Sequence, residues 1–189
     1  MLTTEFLMIT SAICPDRTAI IFENKRLSYM ELAERTNRLA NAMRELGVKK
    51  GDKVAIMQVN TNEVIESYFA VAKLDAIYVP LNFRAKAEEL TYMLNNSDAS
   101  ALIVGSRYIP MVDSIKKDLP HVENIVTLEQ SAKGMKEYES LLASASADDL
   151  FPESQDDDMT ILMYTAGTTG APKGVMLTHN SFSNYVLNN

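Results

Sequence analysis

The sequence predicts an α/β fold, a mostly parallel sheet flanked by helices. Two observations predict it. Short, nearly continuous apolar runs recur along the chain, among them VAIM (54–57), IYV (77–79), ALIV (101–104) and IVTL (125–128). Between them lie stretches with apolar residues at helical spacing. A strand that is apolar on both sides has neither face toward water, which is the condition of a parallel sheet covered by helices above and below. The 189 residues are 47% hydrophobic and 23% charged. That is enough to bury a sizeable core, and it excludes a disordered, collagen-like or disulfide-scaffold chain.

The elements follow in order. FLMITSAIC (6–14) has Glu5 before it in place of a basic residue, and Ile13 is too large for a cleavage site, so it is expected to begin the fold. Residues 19–22 and 26–29 about Asn24-Lys25 form a hairpin. Ser28 with Glu31 is a capping box. Leu32, Thr36, Leu39, Met43 and Leu46 then mark one helix stripe, which Gly47 ends. A polar turn (48–52) leads into the strand 54–57. Asn60 with Glu63 predicts another cap, and Val64, Ile65, Tyr68, Phe69, Ala72 and Leu74 a second amphipathic helix. The strand 77–79 is closed by Pro80. Residues 88–94 are expected to be helical, 95–98 a loop and 101–104 a strand. Met111, Ile115 and Leu119 mark a helix ended by Pro120, followed by the strand 125–128 and a short helix at Tyr138, Leu141 and Leu142. ASASADDLFPESQDDD (143–158) is expected to be an exposed acidic connection, and 159–164 an apolar strand. Phe182, Tyr185 and Val186 begin a helical stripe capped by Asn180 or Ser181, with no stop signal after it. Residues 1–189 are therefore expected to be the N-terminal part of something longer, a frayed tail being the alternative.

Eighteen basic against 25 acidic residues give a net charge of −7. This balance disfavours a broad nucleic-acid surface, while leaving room for a local basic group that holds phosphate. A lone cysteine, Cys14, permits neither an intrachain disulfide nor a cysteine-based zinc site and fits a reducing, cytoplasmic setting. His121 and His179 have no metal-ligand spacing, and no metal ligand is assigned. The longest charge-free stretch, 174–189, is too short and too polar to cross a bilayer.

The chemistry concentrates in one segment. Only seven glycines occur, and Gly167, Gly170 and Gly174 fall together in YTAGTTGAPKG (164–174), directly after an apolar strand. Glycine lets backbone N–H groups approach an anion. Thr165, Thr168 and Thr169 add hydroxyls, and Lys173 adds a compact positive charge. Together they suit a polyphosphate with its Mg²⁺. The spacing matches neither the P-loop, which opens a helix, nor the Rossmann fingerprint. Since 175–177 reads as a strand, this is a loop between two strands. Its bland alternative is a Gly-Thr-rich hairpin turn with a solvated lysine.

YTAGTTGAPKGVMLTH resembles the phosphate-loop signature of the AMP-forming, adenylate-forming enzymes: acyl-CoA synthetases, adenylation domains of peptide synthetases and firefly-type luciferases. PDRTAIIFENKRLSYMEL resembles that family's opening hairpin and first helix, and VPLNFRAKAEELTYMLNNSDASALIV the segment leading into its second stretch of sheet, so the resemblance covers nearly the whole chain. It implies that 1–189 is the N-terminal part of the large AMP-binding domain, with the rest of that domain and the C-terminal lid absent. It implies ATP-dependent activation of a fatty or other organic acid to an acyl-adenylate, followed by transfer to coenzyme A. Thr165, Ala166, Gly167, Thr168, Thr169 and Gly170 would hold the phosphates, with Lys173 neutralising them as the catalytic residue and Mg²⁺ sharing that task. The alternatives are an amino-acid adenylation domain, from which Asn82 in PLNFR leans away, and a non-catalytic docking fragment. The later motifs of the family are not in these residues, so the segment alone is expected to be inactive.

Two positions depart from the family pattern: Ala166 stands where serine is frequent, and Asp75 where a small residue, often glycine, is usual. Four further residues invite a role. His179 is an acid–base candidate, but a packing or capping residue is the favoured reading. Arg84 is read as a helix-entry ion pair before an anion contact. Cys14 is expected to be buried filler, and Asp156-Asp157-Asp158 is expected to face water.

Overall fold

The computed structural model describes residues 1–165 and 172–188. In chain order the elements are α1 (Thr3–Ile13), β1 (Thr18–Phe22), β2 (Lys25–Ser28), α2 (Tyr29–Glu45), β3 (Lys53–Met57), α3 (Asn62–Lys73), β4 (Ile77–Pro80), α4 (Ala87–Asn96) and β5 (Ala99–Val104). They continue with α5 (Ile109–Ile115), β6 (Asn124–Thr127), β7 (Lys136–Glu137), α6 (Tyr138–Ser144), β8 (Met159–Thr165), β9 (Lys173–Thr178) and α7 (His179–Leu187). β1 and β2 form a separate antiparallel hairpin. The main sheet has seven strands in the order β7-β6-β5-β3-β4-β8-β9. All of its neighbours are parallel except β8 and β9. The expected mostly parallel sheet is what forms.

Alternate residues of the central strand feed two cores. Val54 and Ile56 of β3 pack with Leu39 and Met43 of α2, Val71 of α3 and Tyr138 of α6. Ala55 and Met57 face Leu90 and Leu94 of α4 and Val112 of α5 on the other side. This period-2 division explains why the strands read as unbroken apolar runs. The capping box at the start of α2 is present: the Glu31 N–H donates to Ser28 Oγ (3.2 Å) and the Ser28 N–H to Glu31 Oε2 (2.7 Å). At its end, Gly47 at φ 95° and the bonds from the N–H groups of Gly47 to Arg44 O and Val48 to Met43 O make a Schellman stop.

Several local expectations are corrected. Thr61, not Asn60, is the N-cap of α3; the Asn62 side chain is occupied elsewhere. On α3 the inward face is Ser67, Tyr68, Ala70, Val71 and Ala72, while Ile65 is exposed, so that stripe was placed a little off its true centre. Asn95 and Asn96 belong to α4, and the turn is made at Asp98, φ 52°. The helix around Met111 gives way to a short 3₁₀ turn at 116–118 before Leu119. α7 is capped by Thr178, whose hydroxyl accepts the Ser181 N–H at 3.1 Å, in place of Asn180 or Ser181.

The acidic stretch 143–158 is not a free connection. Its carbonyls at Ala145, Ser146, Ala147 and Asp148 accept hydrogen bonds from Arg38, Asn41, Asn37 and Asn41 of α2. Asp149 pairs with the buried Lys73 at 2.6 Å, and Asp156 with the amino group of Met1 at 2.7 Å. The stretch is a strap laid along the helix layer, which delivers the chain to β8.

Asp75 is the hinge of this strap. It follows α3 at φ 55°, and the N–H groups of Asp75 and Ala76 donate to Ala72 O and Val71 O, the same stop that Gly47 makes after α2. Here an L-residue takes the left-handed conformation that glycine would adopt without strain. The return is chemical: its two carboxylate oxygens accept the N–H groups of Glu153 and Ser154, both at 2.8 Å. Asp75→Gly should relieve the strain and lose both bonds, while Asp75→Ala keeps the strain and loses both. We expect Ala to be the less stable of the two by about 1–2 kcal/mol, and both to fall below the parent, since each charge-assisted bond contributes about 1.5–3 kcal/mol. Chemical denaturation of the three proteins checks the order.

A buried ionic cluster joins α2, α3 and α6. Glu66 is 0% exposed. It accepts Arg35 Nε (2.9 Å) and Nη2 (3.1 Å), the Tyr138 hydroxyl (2.8 Å) and Asn62 Nδ2 (2.7 Å). Arg35 also donates to Glu139 at 2.6 and 3.1 Å. Burial opposes the Arg35 charge, but the hydrogen bonds and charges of Glu139 and Glu66 outweigh it and hold its pKa above the ordinary value. Burial, with Glu66 alongside, pushes the Tyr138 phenol well up, so it remains a donor.

Candidate functional site

β8 runs parallel to β4 and ends at Thr165; β9 returns antiparallel from Lys173. The segment between them therefore leaves the sheet at the carboxyl end of the parallel strands, where open α/β sheets receive ligands. Thr165 and Lys173 are direct ladder partners, and Tyr164 is opposite Gly174. Both Thr165 and Lys173 are exposed. The Thr165 hydroxyl makes only a long contact, 3.5 Å, with Lys173 O. Among the described residues no carboxylate forms an ion pair with Lys173. The two stems thus place Thr165 and Lys173 opposite each other at the root of the loop. Ala166, Gly167, Thr168, Thr169 and Gly170 lie outside the described residues. Among the described residues two strands flank the loop, as the sequence indicates, and it is β9 that follows it.

The neighbouring carboxyl end of β4 carries the PLNFR segment. Asn82 builds its turn: its Oδ1 accepts the Arg84 N–H at 3.0 Å and its carbonyl the Ala85 N–H at 2.9 Å. Arg84 does not make the expected ion pair among the described residues; its guanidinium lies over the Phe83 ring, 5.1 Å from the centroid.

The switch in strand order falls between β3 and β5, the usual crevice for a ligand. Here it is filled from within. Gln58 Nε2 donates to Glu129 Oε1 (2.7 Å), and the Ser106 N–H to Glu129 Oε2 (2.8 Å). A Cβ at Gly105 would lie 2.4 Å from Gln58 Oε1, so a larger residue there would oblige the Gln58 side chain to shift. Sequence reasoning passed over Gln58 and Glu129, because they are 71 positions apart and neither sits in a motif.

His179 has no access to the loop. It opens α7 at the far end of the β8–β9 hairpin, where Thr178 pairs with Met159. At about 3.4 Å per residue the two sites are ~20 Å apart. Its ring is 2% exposed, and Nδ1 accepts the Thr3 N–H at 3.2 Å and lies 3.1 Å from the Thr3 hydroxyl. It is the packing residue the sequence favoured, holding α1. Burial lowers its pKa against the pull of Asp75, Asp158 and Asp156. The folded state thus binds its proton less readily than the unfolded chain. Its contribution to stability is whole above the ordinary histidine pKa of about 6.5 and is lost as pH falls below it. His179→Phe should flatten stability between about pH 5 and 7 relative to the parent; denaturant midpoints across that range measure it.

Cys14 is half-buried, its Sγ donating to Thr10 O at 3.3 Å. Of the acidic run, Asp156 and Asp157 are exposed, as expected, and Asp158 is half-buried with its carboxylate on the Gln155 N–H. No group of three or more metal-ligating side chains gathers among the described residues. No described helix is long and apolar enough to cross a membrane.

Comparison with known proteins bears on the family and the fold. The description "AMP-binding enzyme" matches residues 10–189. The chain is 42% identical over 173 residues to the 3-oxocholest-4-en-26-oate–CoA ligase of Rhodococcus rhodochrous, covering 88% of this chain and 31% of that protein. It is 37% identical over 174 residues to the crotonobetaine/carnitine–CoA ligase of Salmonella typhi, covering 87% of this chain and 34% of that one. Among solved structures, the anthranilate CoA ligase AuaEII in complex with anthranoyl-AMP superimposes with a TM-score of 0.92 at 28% identity, over 95% of this chain and 35% of that one. The chain spans about a third of the length of the relatives it matches.

Proposed function

Because this chain belongs to the AMP-binding enzyme family, we propose that the protein of which it forms part is an AMP-forming acid–CoA ligase, with 1–189 as the N-terminal part of its large domain. A carboxylate oxygen attacks the α-phosphorus of ATP, and pyrophosphate leaves with the electron pair of the broken P–O bond. The thiol of coenzyme A then attacks the carbonyl of the acyl-adenylate, releasing AMP and leaving the thioester.

The observation that carries the reading is the pairing of Thr165 with Lys173 at the carboxyl end of β8. Negative charge grows on the departing pyrophosphate, so donors fixed where it develops lower the barrier. Thr165 is placed to donate its hydroxyl, and Lys173 offers an ammonium with no acidic partner among the described residues. We assign Ala166, Gly167, Thr168, Thr169 and Gly170 to the same phosphate cradle. The stems fit a polyphosphate. They do not by themselves make a cation site, so Mg²⁺ would be held chiefly by phosphate oxygens, its usual mode with nucleotides, where it would neutralise part of their charge. Related proteins are named for steroid, carnitine-type and aromatic acids, so an organic acid is the substrate class. The unpaired Cys14 agrees with a cytoplasmic setting.

Exchange of labelled pyrophosphate into ATP by the intact protein, over a panel of fatty, steroid-side-chain, carnitine-type and aromatic acids, is the test. Acid-dependent exchange supports the reading. Absence of exchange with every acid, together with no binding of Mg·ATP, would refute it.

A further inference from the structure

β8 is in register with β4 at Tyr78↔Ile161. Beyond that point, among the described residues, 162–165 have β9 as their ladder partner, and β9 is itself the sheet edge. The outer stem is correspondingly open: Met163, Val175 and Met176 are 40%, 41% and 71% exposed. A further contact, besides the ladder, ties this two-stranded stem to the helix layer.

Tyr164 provides the fastening. Its hydroxyl donates to Asn96 Oδ1 at 2.7 Å, which joins the last residue of β8 before Thr165 to the last residue of α4. Its ring is half-buried against the core that α4 and α5 cover. The residue opposite is glycine, and a Cβ at Gly174 would lie 3.0 Å from Leu162 Cδ1 and 3.7 Å from Tyr164 Cε1. A side chain at 174 would therefore crowd Leu162 and meet the Tyr164 ring only in ordinary contact. Burial, with Tyr92 and Asp98 nearby, raises the phenol above its ordinary pKa, so it keeps the proton it donates.

We infer that Tyr164 and Asn96 form a positioning pair, which fixes the direction of the β8–β9 stem and so the aim of the donors that meet the β- and γ-phosphates. This rests on the phosphate-loop reading of the same hairpin. Neither side chain is assigned a contact with the nucleotide; each acts through the stem. The pair should therefore govern binding of the triphosphate tail and leave the adenosine monophosphate portion alone.

The test is calorimetric titration of the intact protein with Mg·ATP and, separately, with AMP. Tyr164→Phe, which removes one oxygen, should weaken Mg·ATP about fivefold, the affinity equivalent of one neutral hydrogen bond, with AMP unchanged. Asn96→Ala should do the same, and the double variant should be no worse than either single one. A general loss of structure would weaken both ligands together and would overturn the inference, as would wild-type Mg·ATP affinity in Tyr164→Phe. Lys173→Ala separates the two layers of the argument. If it binds Mg·ATP normally, the phosphate-loop reading falls and takes this inference with it. If it binds weakly while Tyr164→Phe binds normally, the positioning role alone is lost.

Discussion

Lys173→Ala in the intact protein is expected to lower kcat/KM for ATP by about 100-fold or more, the scale seen when a fixed donor to developing charge is removed. Lys173 is exposed at the start of β9, beside its ladder partner Thr165, and no described carboxylate neutralises it. Its charge is therefore available to a ligand. Because pyrophosphate departure gathers negative charge that the ground state spreads more widely, kcat should fall along with ATP affinity. AMP binding should persist, since AMP has neither phosphate that the lysine meets. Lys173→Arg should restore only part of the rate, because a planar fork does not replace a compact point charge. Lys50→Ala, at an exposed turn remote from the hairpin, is the control and should leave the kinetics unchanged. Steady-state pyrophosphate exchange at varied ATP separates these outcomes. An unchanged rate in Lys173→Ala would remove the lysine from the site.

The second large effect is on stability. Arg35→Met should destabilise the fold by about 3–5 kcal/mol, because it strands the carboxylate of Glu66 without its cation in a fully buried position. Tyr138 and Asn62 would still donate to that carboxylate, but neutral donors do not replace a guanidinium. Adding Glu66→Gln removes the stranded charge while leaving an oxygen for Tyr138. The double variant should therefore be more stable than Arg35→Met alone by at least about 1 kcal/mol. Simple additivity would show that burial of the lone charge is not the cause. Chemical denaturation followed by circular dichroism reads both.

Much of the architecture was legible because it rests on neighbours in sequence. The Ser28–Glu31 box, the Gly47 stop and the apolar runs each report a local requirement, met within a few residues. The pair of strands around the glycine-rich segment was legible for the same reason: a strand, that segment and a strand follow one another directly. What escaped was made of distant partners. Arg35 meets Glu66 and Glu139 across 31 and 104 positions, and Asp75 meets Ser154 across 79. Such pairs leave no periodic trace, so a strap pinned by side chains reads only as an exposed acidic connection. The cap errors at Asn60 and Asn180 have another origin. Asn, Ser and Thr crowd both helix starts, and any of them can cap; which one does is decided by where the preceding strand ends. At Asp75 the departure from the family's small residue carried no reading in the sequence; its left-handed conformation and the use of its carboxylate emerge only in the fold. The reason for a carboxylate lay on the strap, beyond any local window.

The clasp between the first helix and the seventh has a consequence for how the chain is made. Thr3 meets His179, and the carbonyl of Met1 meets Ser183, across 176 and 182 positions. During synthesis α1 emerges before α7, whose residues leave the ribosome only after β9 has been translated. Contacts of such long range form slowly, because the loop between the partners must be closed before the contact rewards it. The first helix of these residues thus waits for the seventh before it finds its seat.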